Sequence, residues 1–145
     1  MGMTFEDLDV WKQARIMVRE VYALYRDDKV GKDFGLRDQI QRAAVSVMTN
    51  VAEGFERTGT QEKIHFYNIG RASAGEVRAL RYVVEDNFSH LANSAADLRN
   101  STIGVDKLSS GMIASTHRRT AAKAATIATL ILLPISYLLS PLSAA

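Results

Sequence analysis

The chain has 145 residues, 47% of them hydrophobic and 23% charged, with two prolines and nine glycines; this is one domain's worth of core, which argues against global disorder and against a second catalytic domain. The absence of cysteine excludes disulfides, thiolate metal sites and a cysteine nucleophile. A formal net charge of +2 hides an imbalance: through Thr58 nine Lys/Arg face ten Asp/Glu, and from Gly59 onward nine face six, so the positive field belongs to the second half.

Met1 to Asp9 is acidic and lacks the basic and apolar stretches of a secretory signal, which reads as a cytoplasmic protein. Thr4 is placed to cap a first helix whose opening turn holds Glu6, Asp7 and Asp9, acids that suit the positive end of the helix dipole. Leu8, Trp11, Ala14, Val18, Val21, Tyr22 and Tyr25 then recur at three- and four-residue steps, an amphipathic stripe. Asp27 to Gly35 is polar and reads as the loop that ends this helix.

Leu36, Ile40, Ala43, Ala44, Val47 and Val51 mark a second helix, stopping at Gly54 in an expected glycine cap. Thr58, Gly59 and Thr60 supply turn and cap chemistry before a third helix, Gln61 to about His90, striped by Phe66, Ile69, Val77, Leu80, Val84 and Phe88. A fourth helix, about Ala95 to Arg119, keeps the spacing through Leu98, Val105, Leu108 and Met112 despite Gly104 and Gly111. No run alternates in the manner of a strand. Four such helices joined by short loops bury their stripes most simply as an all-α, up-down-up-down antiparallel four-helix bundle.

The segment Phe34-Gly-Leu-Arg-Asp-Gln-Ile-Gln-Arg-Ala-Ala-Val-Ser-Val-Met-Thr-Asn-Val-Ala-Glu-Gly54 closely resembles the signature of the four-helix bundle proteins named for intervening sequences in 23S rRNA genes. Phe5-Glu-Asp-Leu-Asp-Val-Trp11, His65-Phe-Tyr-Asn-Ile-Gly70 and Ser109-Ser-Gly-Met-Ile-Ala114 fit the same family in order, so the resemblance covers roughly residues 4 to 120. It implies a homopentamer of four-helix bundles, similar to the accessory variability protein that partners the reverse transcriptase of diversity-generating retroelements. It also implies binding of RNA or DNA through basic surfaces.

Two basic clusters suit that expectation. Arg71, Arg78 and Arg81, seven and three residues apart, would share one face of the third helix; the competing reading is a solvated face paired with Glu76 and Glu85. His117, Arg118, Arg119 and Lys123 follow on the fourth, where cations also suit a helix C-terminus. Asn50, Glu53 and Gly54 form the polar heart of the signature, and a structural role in binding backbone or a neighbouring helix is favoured over a catalytic one. Tyr67 and Tyr82 fall off the third helix's stripe and are candidates for a subunit contact or for stacking on bases.

No sequence feature points to an enzyme. The histidines at 65, 90 and 117 lack metal-ligand spacing, and there is neither a G-x-S-x-G elbow nor a phosphate-binding glycine loop. Neither a cofactor nor a metal is expected.

The domain therefore spans 1–120, and 121–145 is an uncharged apolar tail apart from Lys123. As a helix the 22 charge-free residues from Ala124 to Ala145 would just reach across a hydrocarbon core of about 30 Å, with Arg118, Arg119 and Lys123 left on the cytoplasmic side. Pro134 and Pro141 count against that, and packing on a neighbouring subunit is favoured over membrane insertion, with a partly disordered tail as a third reading. The functional expectation is a non-catalytic homo-oligomer binding structured RNA or DNA. The alternatives are a protein scaffold, such as an accessory partner of a reverse transcriptase, and a tail-anchored membrane protein.

Overall fold

The computed structural model describes residues 2–138, with side chains through residue 131. Four α-helices carry the chain: α1 (Asp9–Leu24), α2 (Phe34–Glu56), α3 (Thr60–Asn87) and α4 (Ala92–Leu138), with short 3-10 turns at Phe5–Asp7, Val30–Lys32 and Ser89–Leu91. Consecutive helices pack side by side, and α1 also packs on α4. Among the described residues there is no strand.

Local chemistry sets the helix ends. The Thr4 N–H donates to Asp7 Oδ2 at 2.9 Å, and the two side chains form a capping box ahead of α1. Asp33 Oδ1 accepts from the Leu36 N–H at 3.0 Å and starts α2, using one of the backbone donors that a helix N-terminus leaves unpaired. Between these helices Asp27 Oδ1 accepts from the N–H groups of Lys29 and Val30, while Asp27 Oδ2 lies 2.9 Å from His90 Nε2. One carboxylate therefore joins the α1–α2 loop to the α3–α4 connection.

The core is a column of small and branched side chains: Ala14, Met17 and Val21 of α1, Ile40, Ala44 and Val47 of α2, Ala74, Val77 and Val84 of α3, and Leu98 and Val105 of α4. Fully burying a side chain of the Val or Leu class contributes about 1.5–3 kcal/mol. The faces are rotated from the sequence expectation in two places. In α1 the buried positions are Val10, Ala14, Met17, Val21 and Leu24, and Tyr22 is 49% exposed. In α3 they are Ile64, Tyr67, Gly70, Ala74, Val77, Arg81 and Val84, leaving Ile69 and Tyr82 outside.

Gly54 does not end a helix. It lies inside α2 and is buried, and none of the glycines described has a positive φ. A Cβ placed there would come within 2.6 Å of Tyr67 Cδ1 and 3.2 Å of the Lys63 carbonyl, so the missing side chain is what admits the Tyr67 ring. Sixteen residues on, Gly70 does the same in reverse, with its absent Cβ 3.3 Å from the Val47 carbonyl. These two glycines bring α2 and α3 close.

The fourth helix is longer than its expected 95–119, running to Leu138 through position 134, where the proline counted against a continuous helical tail. Alanines and leucines, which lack β-branching, are strong helix formers in its second half. Every side chain from His117 to Ile131 is exposed. Among the described residues no helix is long and apolar enough to cross a membrane. Residues 139–145 of the expected tail lie outside the described residues.

Candidate nucleic-acid interface

The three arginines of α3 do not make one exposed stripe. Arg81 is only 3% exposed; its Nη1 donates to Glu85, its guanidinium carbon lies 3.6 Å from the centroid of the Tyr82 ring, and its Nε has no partner. A guanidinium so placed cannot reach a phosphate, because Arg81 shares its arc with Ala74, Val77 and Val84 and points inward. Arg71 is about half exposed and faces Asp106 across α3 and α4 at 3.6 Å. Arg78 is exposed, with no ion pair among the described residues.

The second cluster is built differently. Arg118, Arg119 and Lys123 are all exposed and, among the described residues, no carboxylate lies within ion-pair distance of them. Arg119 and Lys123, one turn apart, flank a cleft of about 360 Å³ at the end of the bundle, where the α2–α3 turn, the N-terminal residues and α4 meet. Lys63 is the third cation on its wall, and Thr58, Thr60 and Thr120 are among the hydroxyl donors there. Not one carboxylate lines it.

Bonds between helices hold the wall in place. Lys63 Nζ donates to the Phe55 carbonyl at 2.7 Å, fixing the ammonium across the end of α2. The hydroxyls of Thr60 and Thr120 lie 2.9 Å apart and tie the start of α3 to α4. Tyr67 forms the apolar floor, 4% exposed, and is free neither for the subunit contact nor for the base stacking expected of it. Burial pushes its phenol above the ordinary value, and the Arg119 charge pulls part of that shift back.

Two further hollows, of about 400 and 420 Å³, lie on the opposite end of α2. Asp38 borders both, Glu76 borders the first, and Arg42 is already paired with Asp38. Mixed charge of that kind gives an anion no net attraction. Among the described residues no group of three His, Asp or Glu side chains is gathered closely enough to hold a metal ion.

The signature residues separate. Asn50 Nδ2 donates to the Ser46 carbonyl at 2.7 Å and to Ser46 Oγ at 3.0 Å, and Ser46 Oγ lies 2.9 Å from Ser73 Oγ of α3. Asn50 is thus part of the α2–α3 seam with Gly54, whereas Glu53 is turned to solvent with Arg57 4.0 Å away. The seam was missed by sequence reasoning; its signal was the pairing of small residues, Gly54 and Ser46 in α2 with Gly70 and Ser73 in α3. Lys63 was missed as well, since nothing along the chain places it beside residues sixty positions later.

The family model described as 23S rRNA-intervening sequence protein matches residues 6–111. A solved structure, described as a protein with unknown function from the S23 ribosomal protein family of Bacteroides thetaiotaomicron, shares the fold with a TM-score of 0.66. It is 19% identical to this chain and the match covers 72% of this chain and 97% of that one. Comparison with curated proteins finds no match.

Proposed function

Taking as premise that the chain belongs to the 23S rRNA-intervening sequence protein family, we propose that it is a non-catalytic, homo-oligomeric protein that binds nucleic acid, with the cation-lined cleft as its contact surface. Lys63, Arg119 and Lys123 bind phosphate oxygens from the cleft wall, and Arg118 extends the surface along α4. Arg71 and Arg78 are secondary contacts, and Arg81 is not one. The observation that supports this reading is the cleft's composition: three cations and several hydroxyls with no carboxylate. From Lys107 to Ala145 there are 39 residues without a single Asp or Glu, so nothing nearby on α4 neutralises the cluster.

Recognition of this kind reads the backbone and not the bases, because no element enters a groove with side chains aimed at base edges. Within the same reading the helices run up-down-up-down and the bundle assembles as a homopentamer. Repetition around a ring multiplies a few contacts per copy into useful affinity.

The test is fluorescence anisotropy of the full chain with single-stranded and structured RNA and DNA across a salt series. Affinity is expected to fall with salt, each phosphate contact contributing a slope of about 0.7–0.9 in the logarithmic plot. The triple substitution Lys63→Gln, Arg119→Gln, Lys123→Gln is expected to lower affinity at least tenfold and flatten that slope. An unchanged slope in the triple variant would refute the cleft as the contact surface.

A further inference from the structure

Among the described side chains, Thr120 makes the last bond along α4 to another helix, its hydroxyl meeting that of Thr60. From there α4 continues for 18 more residues to Leu138, about 27 Å at 1.5 Å per residue. At about 100° per residue, Arg119, Lys123, Ile127, Leu130 and Ile131 fall within one arc of about 120°. This arc prolongs the face that holds Met112 and Thr116 against the cleft. Ile127, Leu130 and Ile131 are 57%, 65% and 60% exposed. The face that seals the bundle therefore runs on with nothing beside it among the described residues.

The rest of the extension is unlike a helix made for water. Ala121, Ala122, Ala124, Ala125 and Ala128 occupy its other sides, and no charge follows Lys123. The hydroxyls of Thr126 and Thr129 donate to the carbonyls of Ala122 and Ala125 at 3.0 Å. Each threonine satisfies its hydrogen bond within the helix, which suits surroundings that offer no partner. A helix joining a second copy in water keeps a charged outer face, which this one lacks. A parallel copy laid on the same arc would also set Arg119 and Lys123 against their equivalents.

We propose that the projecting part of α4 docks on an anionic lipid surface. Ile127, Leu130 and Ile131 enter the acyl boundary, and Arg118, Arg119 and Lys123 lie at the headgroup phosphates. An apolar stretch beside a patch of cations is the combination such surfaces select, since burial of the side chains and attraction to the headgroups add. Docking of this kind needs no passage across the membrane, in keeping with the described helices. It is independent of the nucleic-acid reading but shares three of its cations, so the protein is treated with nuclease before it is tested.

The experiment is flotation of the full chain with vesicles of phosphatidylcholine, with and without phosphatidylglycerol, alongside its mass in solution without lipid. Aggregates sink, so only lipid-bound chain rises. The wild type is expected to float with anionic vesicles and at least tenfold less with neutral ones. Ile127→Gln, Leu130→Gln, Ile131→Gln together should cut flotation at least tenfold while the bundle melts unchanged. Arg118→Gln, Arg119→Gln, Lys123→Gln together should abolish the preference for anionic lipid. If the triple apolar variant disturbs the bundle, Leu130→Gln alone is expected to cost severalfold. A wild type that stays at the bottom of the gradient, or apolar variants that float as well as it does, would overturn the proposal. So would an oligomer that the apolar substitutions dissolve while vesicles remain bare, because a second copy would then be the partner.

Discussion

Between Ala95 and Ser109, α4 buries Ser101, Thr102 and Ser109 along with Ala95, Leu98 and Val105, whereas between His117 and Ile131 it exposes Ile127, Leu130 and Ile131. One helix thus hides hydroxyls in its first part and shows branched apolar side chains in its second. Polarity alone does not set burial here; the presence of α1 and α3 alongside does. Small hydroxyl residues fit where helices come close, and Thr102 bonds to the Arg99 carbonyl at 2.8 Å instead of reaching across. The apolar side chains of the second part have the composition of a core without the neighbours.

That contrast breaks if the two parts respond alike to truncation. Leu98→Ala, at a fully buried site, is expected to cost about 2–5 kcal/mol, read from urea unfolding. Leu130→Ala, at a site 65% exposed, should stay within about 0.5 kcal/mol. Equal losses would mean that the extension is part of the bundle's cooperative unit.

Next in size is the α2–α3 seam, which tests whether close approach confers stability that the extension cannot have. Gly54→Ala drives a methyl into the Tyr67 ring, and overpacking of this kind costs about 1–3 kcal/mol. Combining it with Tyr67→Ala should show strong non-additivity in chemical denaturation, since the small ring-free side chain removes the clash. Gly111→Ala on α4, where an added Cβ meets nothing within 4 Å, should instead stabilise by about 0.5–1 kcal/mol.

The smallest effect lies at the opposite end of the bundle, where Asp27 joins the α1–α2 loop to His90. The hydrogen bond from His90, followed by that from the Val30 N–H, holds the Asp27 carboxyl below its ordinary 3.8. A carboxyl held low in the folded state contributes stability that is present above 3.8 and lost as pH falls through its folded value. His90→Ala should therefore shallow the acid limb of a melting-temperature profile while leaving lipid flotation unchanged. An identical acid limb would mean that the contact contributes nothing.

Much of the architecture was legible because apolar residues recur every three or four positions in all four helices, and the polar stretch Asp27 to Gly35 and the turn residues Thr58, Gly59 and Thr60 separate the first three. The rotation of α3 was not legible. Phe66, Ile69 and Leu80 define one arc by hydrophobicity, but Gly70 and Ala74 define the neighbouring arc by size, and the second faces the core. Close helix contact selects small residues there, which carries Arg81 and Tyr67 inward with them. Of the candidate site, Arg118, Arg119 and Lys123 could be picked out along the chain as a run of cations. Their cleft could not, because Lys63 and the threonines that complete it come from another helix and a turn. The end of α4 was misplaced for a simpler reason: the helix was followed only as far as its amphipathic spacing, whereas the alanine-rich stretch beyond Arg119 is helical by propensity.

The Asn50–Ser46–Ser73 chain has a further consequence. Hydroxyls half-buried on facing helices meet at a single axial offset, and sliding α3 along α2 by one turn would leave Ser46 and Ser73 without each other. Valine and alanine contacts elsewhere on the seam would tolerate that slip. The polar chain thus works as a key that fits one alignment, and apart from the two close-approach glycines it leaves the other seam positions freer to vary in sequence without changing how the helices mate.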